Sequence, residues 1–110
     1  MKAFLATLSI LAAMPAFADD APLHRYLIER TFPIGALAGL DAETKARVNE
    51  NNASVGVRWV QSFANADMTK TYCIYEGPNE AAILKAAMLN DLPVDSVMEV
   101  PVDLLPGGGS

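Results

Sequence analysis

The sequence predicts a single α+β domain with the element order βαββαβ. Three observations carry that prediction. Two β-rich runs, residues 55–64 and 69–76, are separated by the polar turn Asn65-Ala66-Asp67. The second run leads straight into a helix start at Pro78-Asn79-Glu80. An earlier strand-like run, residues 25–32, is likewise followed by a helix start at Asp41.

Taken in order, residues 25–32 alternate and hold Tyr26, Leu27 and Ile28 before Glu29-Arg30 and Thr31-Phe32. Pro33 stops this first strand, and Gly35 and Gly39 mark a loop. Asp41 suits a helix N-cap, and Glu43 sits in the first turn, where the helix dipole favours an acid. The helix runs through Ala46 and Val48 and frays at Asn51-Asn52. In the second strand, residues 55–64, strict alternation places Val55, Val57, Trp59, Gln61 and Phe63 on one face. In the third, residues 69–76, Thr71, Cys73 and Tyr75 oppose Tyr72, Ile74 and Glu76. Asn79 caps the second helix, whose apolar stripe is Ile83, Leu84, Ala87 and Met88. A fourth strand follows at residues 96–102, ended by Pro101 or just after it.

This order is the split-βαβ, ferredoxin-like topology: a four-stranded antiparallel sheet with both helices on one face. The other face is left bare, yet strands two and three carry large apolar groups on both faces. A bare apolar face calls for a partner. Two copies packed sheet on sheet, a dimeric α+β barrel, would cover it and enclose a cavity.

The first 18 residues form a signal-peptide pattern. Lys2 is the charged n-region, Ala3 to Met14 is almost wholly apolar, and Ala16-Phe17-Ala18 is a cleavage site. The apolar run is shorter than the roughly 20 residues of a spanning helix. Cleavage after Ala18 would send a mature chain without a membrane span to the periplasm or outside the cell. The expected organisation is therefore 1–18 leader, 19–103 ferredoxin-like domain and 104–110 flexible tail ending in Gly-Gly-Gly-Ser. The formal charge of the whole chain is −5, with 13 acids against 8 bases and no basic cluster. That excludes a nucleic-acid role, which needs clustered Lys and Arg. Cys73 is the single cysteine, so no internal disulfide forms and stability rests on the core or on a second copy.

Several segments together resemble a known family. Ile28-Glu29-Arg30-Thr31-Phe32-Pro33 is similar to the opening of the small ferredoxin-like nickel-binding proteins, otherwise a family of unknown function. Trp59-Val60-x-Ser62-Phe63, Lys70-x-Tyr72-Cys73-x-Tyr75, Pro78-Asn79-Glu80 and Leu92-Pro93-Val94-Asp95-x-Val97 resemble the rest of its pattern, across residues 24 to 100. The resemblance implies a dimeric α+β domain, with nickel bound in at least one member. One position departs. Many relatives carry a histidine in helix two within Glu-His-Ala, where this chain has Ala86.

The candidate metal ligands are His24, Glu29, Cys73 and Glu76. Imidazole, carboxylate and thiolate are all donors for a borderline divalent ion such as nickel, which wants about four to six of them. Glu29 lies roughly 17 Å along the strand from His24, so a single chain does not bring both to one site. Glu29 reads either as a carboxylate paired with Arg58 or exposed at an edge, or as a pocket acid or metal ligand. Cys73 reads either as a small core hydrophobe or as a thiolate beside Lys70 or Arg58. Because strands one and three are neighbours, Glu29 and Cys73 are expected to share a face. The candidate small-molecule site is Glu29, Arg58, Trp59, Cys73 and Tyr75, in a cavity whose aromatic lining suits a flat apolar ligand.

Three functions fit this reading. The first is an exported, non-catalytic binding protein holding a metal ion or small molecule. The second is a dimeric α+β barrel enzyme, a monooxygenase or isomerase. The third is a protein-interaction module. With His24 the only histidine, a Ser-His-Asp set has no other candidate, and no glycine-rich phosphate loop precedes a helix.

Overall fold

The structure, a computed structural model, describes residues 22–107. The expected leader and its cleavage point at Ala18, and the last residues of the expected tail, lie outside the described residues. The elements are β1 His24–Thr31, a 3₁₀ turn Ala36–Gly39, α1 Ala42–Ala53, β2 Arg58–Ala64, β3 Lys70–Gly77, α2 Glu80–Leu89 and β4 Ser96–Glu99. The sheet order is β2-β3-β1-β4, and every neighbouring pair is antiparallel. This is the expected ferredoxin-like arrangement. Among the described residues, no helix is long and apolar enough to cross a membrane.

Both helices start where a side chain satisfies backbone N–H groups left free at a helix N-terminus. The Asp41 carboxylate accepts from the Thr44 N–H at 2.8 Å, and this bond holds its carboxyl below the ordinary value. The Asn79 side-chain oxygen accepts from the Ala82 N–H at 2.9 Å. Helix α2 ends in a left-handed residue, Asp91 at φ 55°. The Leu92 N–H then reaches the Ala87 carbonyl at 2.9 Å and the Asp91 N–H reaches Met88 at 3.1 Å. This pattern closes the helix and turns the chain sharply.

The core lies between α2 and the sheet. Tyr26, Ile28, Val57, Cys73, Tyr75, Ile83 and Ala86 form one buried cluster. Gly77 makes the close approach of α2 to β3 feasible. A Cβ there would meet Ile83 Cδ1 and Val57 Cγ2 at 3.1 Å each. Helix α1 contributes less, burying only Val48 and Asn52.

Three expected details differ. Strand β2 begins at Arg58 rather than at Val55. Residues 54–56 form a turn in which Gly56 takes φ 75°, a conformation that favours glycine. The buried stripe of α2 is Ile83, Ala86 and Ala87; Leu84 and Met88 face outward. The helix is rotated so that small alanines, not Met88, meet the sheet. Strand β4 ends at Glu99, three residues early. The Val100 N–H still donates to the Arg25 carbonyl at 2.9 Å, but Pro101 has no N–H to continue the ladder.

Candidate functional site

Alternation divides β1 cleanly. Tyr26, Ile28 and Arg30 face the helices and are buried, while Arg25, Leu27 and Glu29 face the open side. The pairing of β1 with β3 sets Ile28 opposite Cys73 and Glu29 opposite Tyr72. Paired residues share a face, so Cys73 lies on the helix side and Glu29 on the open side. The expected shared face is not formed, and one pocket within a chain cannot hold both groups.

A bulge changes β2. Trp59 pairs with Tyr75, but the next pair is Gln61 with Ile74, leaving Val60 as an extra residue. Trp59 and Ser62 therefore point to the helix side together, and the Trp59 indole N–H donates to Ser62 Oγ at 2.9 Å. Gln61 and Phe63 point to the open side. Simple alternation put Trp59, Gln61 and Phe63 together, and the bulge separates Trp59 from the other two.

The helix side of the sheet is only partly filled. Beside the core, Arg30, Trp59, Ser62, Thr71, Cys73 and Tyr75 form the floor of a cavity of about 800 Å³. Its walls are the loop Phe32 to Leu40, the α1 residues Thr44, Arg47, Val48 and Asn51, and the end of α2 from Leu89 to Pro93. The volume is in the range that takes a small organic ligand. Tyr75 is buried, and that burial pushes its phenol above the ordinary value; the Arg30 charge acts in the opposite direction. The Cys73 thiol meets Thr71 Oγ1 at 3.5 Å.

Arg30 was not singled out by the sequence. It is 3% exposed, its Nη1 donates to the Pro93 carbonyl at 2.7 Å, and its guanidinium carbon lies 5.6 Å from the centre of the Tyr75 ring. The signal that could have found it is the period-two pattern. Arg30 is two residues beyond Ile28 and four beyond Tyr26, so alternation alone puts it on the core face.

The other candidates are dispersed. Arg58 pairs with Glu76, Nη2 to Oε1 at 2.6 Å, on the open side. The expected Arg58–Glu29 pair is absent because β3 lies between their strands; Glu29 instead has Lys70 Nζ at 3.9 Å. Lys70 is held by Asp95 at 3.0 Å, and this bond raises the Lys70 pKa. Neither Arg58 nor Lys70 is the cationic neighbour considered for Cys73, since both serve carboxylates on the opposite side. His24 Nδ1 meets Glu99 Oε2 at 2.8 Å, near Glu76 at the far end of the sheet. Of the expected ligand set, Trp59, Cys73 and Tyr75 come together, whereas Glu29 and Arg58 do not join them. The expected metal set His24, Glu29, Cys73 and Glu76 is not assembled. Among the described residues, no group of three or more His, Cys, Asp or Glu side chains could hold a metal ion.

Residues 26–100 match the family described as "Nickel responsive protein SCO4226-like", and the chain belongs to that family. The fold is similar to that of SCO4226 from Streptomyces coelicolor A3(2), known from its crystal structure. That likeness has a TM-score of 0.53 at 18% identity and covers 73% of this chain and 99% of the other. No curated protein matches.

Proposed function

We propose that this member of the SCO4226-like family is an exported, non-catalytic binding protein that holds a small organic molecule in the helix-side cavity. The observation that carries the reading is the cavity itself: about 800 Å³, with Trp59, Cys73 and Tyr75 in its floor. A flat apolar body would stack on the aromatic floor, with Ser62 and Thr71 of the floor and Asn90 of the wall supplying hydrogen bonds. The leader-like first 18 residues support a periplasmic or secreted location. The exposed apolar groups of the open face, Val60, Phe63, Tyr72 and Met98, support a homodimer packed sheet on sheet.

The test uses N-phenyl-1-naphthylamine, a neutral aromatic probe. Saturable uptake should quench Trp59 and slow the labelling of Cys73 by dithiodipyridine, since both residues line the cavity. Uptake that leaves Cys73 labelling unchanged, or failure of both this probe and its sulfonate analogue to bind, refutes the reading.

A second reading, binding of nickel or another divalent ion, is favoured by the family's description as nickel responsive. His24 and Glu99 would supply two donors of this chain, with the remainder from a second copy. Calorimetric titration with nickel, copper and zinc tests it. No uptake of any of the three excludes it, and uptake lost in His24→Ala supports it.

A further inference from the structure

Arg30 carries a charge that the fold does not neutralise. Its side chain is buried, and guanidinium keeps its proton under all ordinary conditions. Burying such a charge is unfavourable unless an opposite charge or a full set of acceptors compensates it. Among the described residues, no carboxylate lies within ion-pair distance of Arg30, whereas Arg25, Arg58 and Lys70 on the open side each have one. Its hydrogen bond to the Pro93 carbonyl at 2.7 Å occupies one of five donors, and the Tyr75 hydroxyl is a further polar neighbour. The Tyr75 ring offers its face as a further weak partner.

The surroundings repeat that imbalance. The chain has 13 acids and 8 bases. The cavity lining reverses the excess, with Arg30 and Arg47 against Asp91 alone. The positive charge also sits in the floor, next to the aromatic groups, where a ligand would be desolvated. A structural tie to Pro93 accounts for one donor; it explains neither the missing acid nor the local sign of charge.

We propose that the cavity selects organic acids, with the anionic group of the ligand bound by the Arg30 guanidinium and its aromatic or aliphatic body lying over Trp59 and Tyr75. A planar carboxylate or sulfonate matches the two-pronged donor geometry of guanidinium. This rests on the cavity being a ligand site, and it adds the chemical class of the ligand.

The experiment pairs two probes that differ by one charged group: 1-anilinonaphthalene-8-sulfonate and neutral N-phenyl-1-naphthylamine. Affinities for both are measured on the wild type and on Arg30→Met, with Cys73 protection confirming occupancy of the cavity. In Arg30→Met the sulfonate should lose about tenfold to a hundredfold in affinity, the range for a charge-assisted contact, while the neutral probe changes little. Equal effects on both probes, or none on the sulfonate, would overturn the assignment and leave the cavity reading standing. Failure of both probes to protect Cys73 in the wild type removes the cavity reading and this inference together. Should Arg30→Met not fold, the wild type decides by NMR. The Arg30 Nε resonance should shift with the sulfonate and stay in place with the neutral probe; an unmoved resonance with the sulfonate rejects the proposal.

Discussion

The two faces of the same four-stranded sheet are built on opposite terms. On the helix side, Ile28 is fully buried, Cys73 and Tyr75 nearly so, and the buried charge, Arg30, has no carboxylate partner among the described residues. On the open side, Phe63 and Met98 are more than half exposed, and the charges are paired: Arg58 with Glu76, Lys70 with Asp95. One face is a finished core with an unfinished pocket beside it. The other has its charges settled and its apolar groups uncovered. A neutralised, apolar, exposed surface suits contact with another protein surface, whereas a buried cation beside aromatic rings suits a small anion.

Adjacent residues on β1 give the sharpest way to break this contrast. Ile28→Ala should lower stability by about 2–5 kcal/mol, as for a fully buried aliphatic residue. Leu27→Ala, its neighbour on the open face, should cost well under half of that in dilute protein. Chemical denaturation measures both, and equal costs would erase the distinction between the faces. Next in size is the proposed dimer. Phe63→Asp places a charge among the exposed apolar groups and should weaken association by about 2 kcal/mol. Light scattering should then return a monomer where the wild type returns a dimer. A monomeric wild type at micromolar concentration would refute the dimer outright. Asn79→Ala removes the cap of the helix that closes the core and should cost about 1 kcal/mol. The smallest effect belongs to Asp95 on the open side. Its hydrogen bond from Thr31, and then that from Lys70, hold its carboxyl below the ordinary value of 3.8. A depressed folded-state pKa contributes stability that is full above 3.8 and is lost as pH falls through the folded value. Acid titration of unfolding should therefore be shallower in Asp95→Asn, and an unchanged acid limb would contradict this.

Much of the fold was legible because its signals are local. The caps Asp41 and Asn79, the stop at Pro33 and the alternation of β1 and β3 depend only on nearby residues, and the structure has them where expected. The site was less legible. The bulge at Val60 has no glycine or proline to mark it, since it arises from how β2 pairs with β3, and it decides the side on which Trp59 lies. The cavity depends on where the Phe32 to Leu40 loop settles, which no periodicity encodes. The partner of Arg30, the Pro93 carbonyl, is 63 positions away in sequence. The helix-two departure does have a physical counterpart: Ala86 is 1% exposed within the core cluster, a place with no room for an imidazole in this packing.

The bulge in β2 has a consequence for the rims of the sheet. An outer strand with straight, free backbone groups is a template on which another chain can build a further strand, and such growth has no natural end. Here one outer strand is kinked at Val60 and the other, β4, is four residues long with Pro101 just beyond it. Neither rim offers a long, regular ladder. The fold thus disfavours fibre-like growth at both rims while leaving its broad face available for a contact that closes on itself.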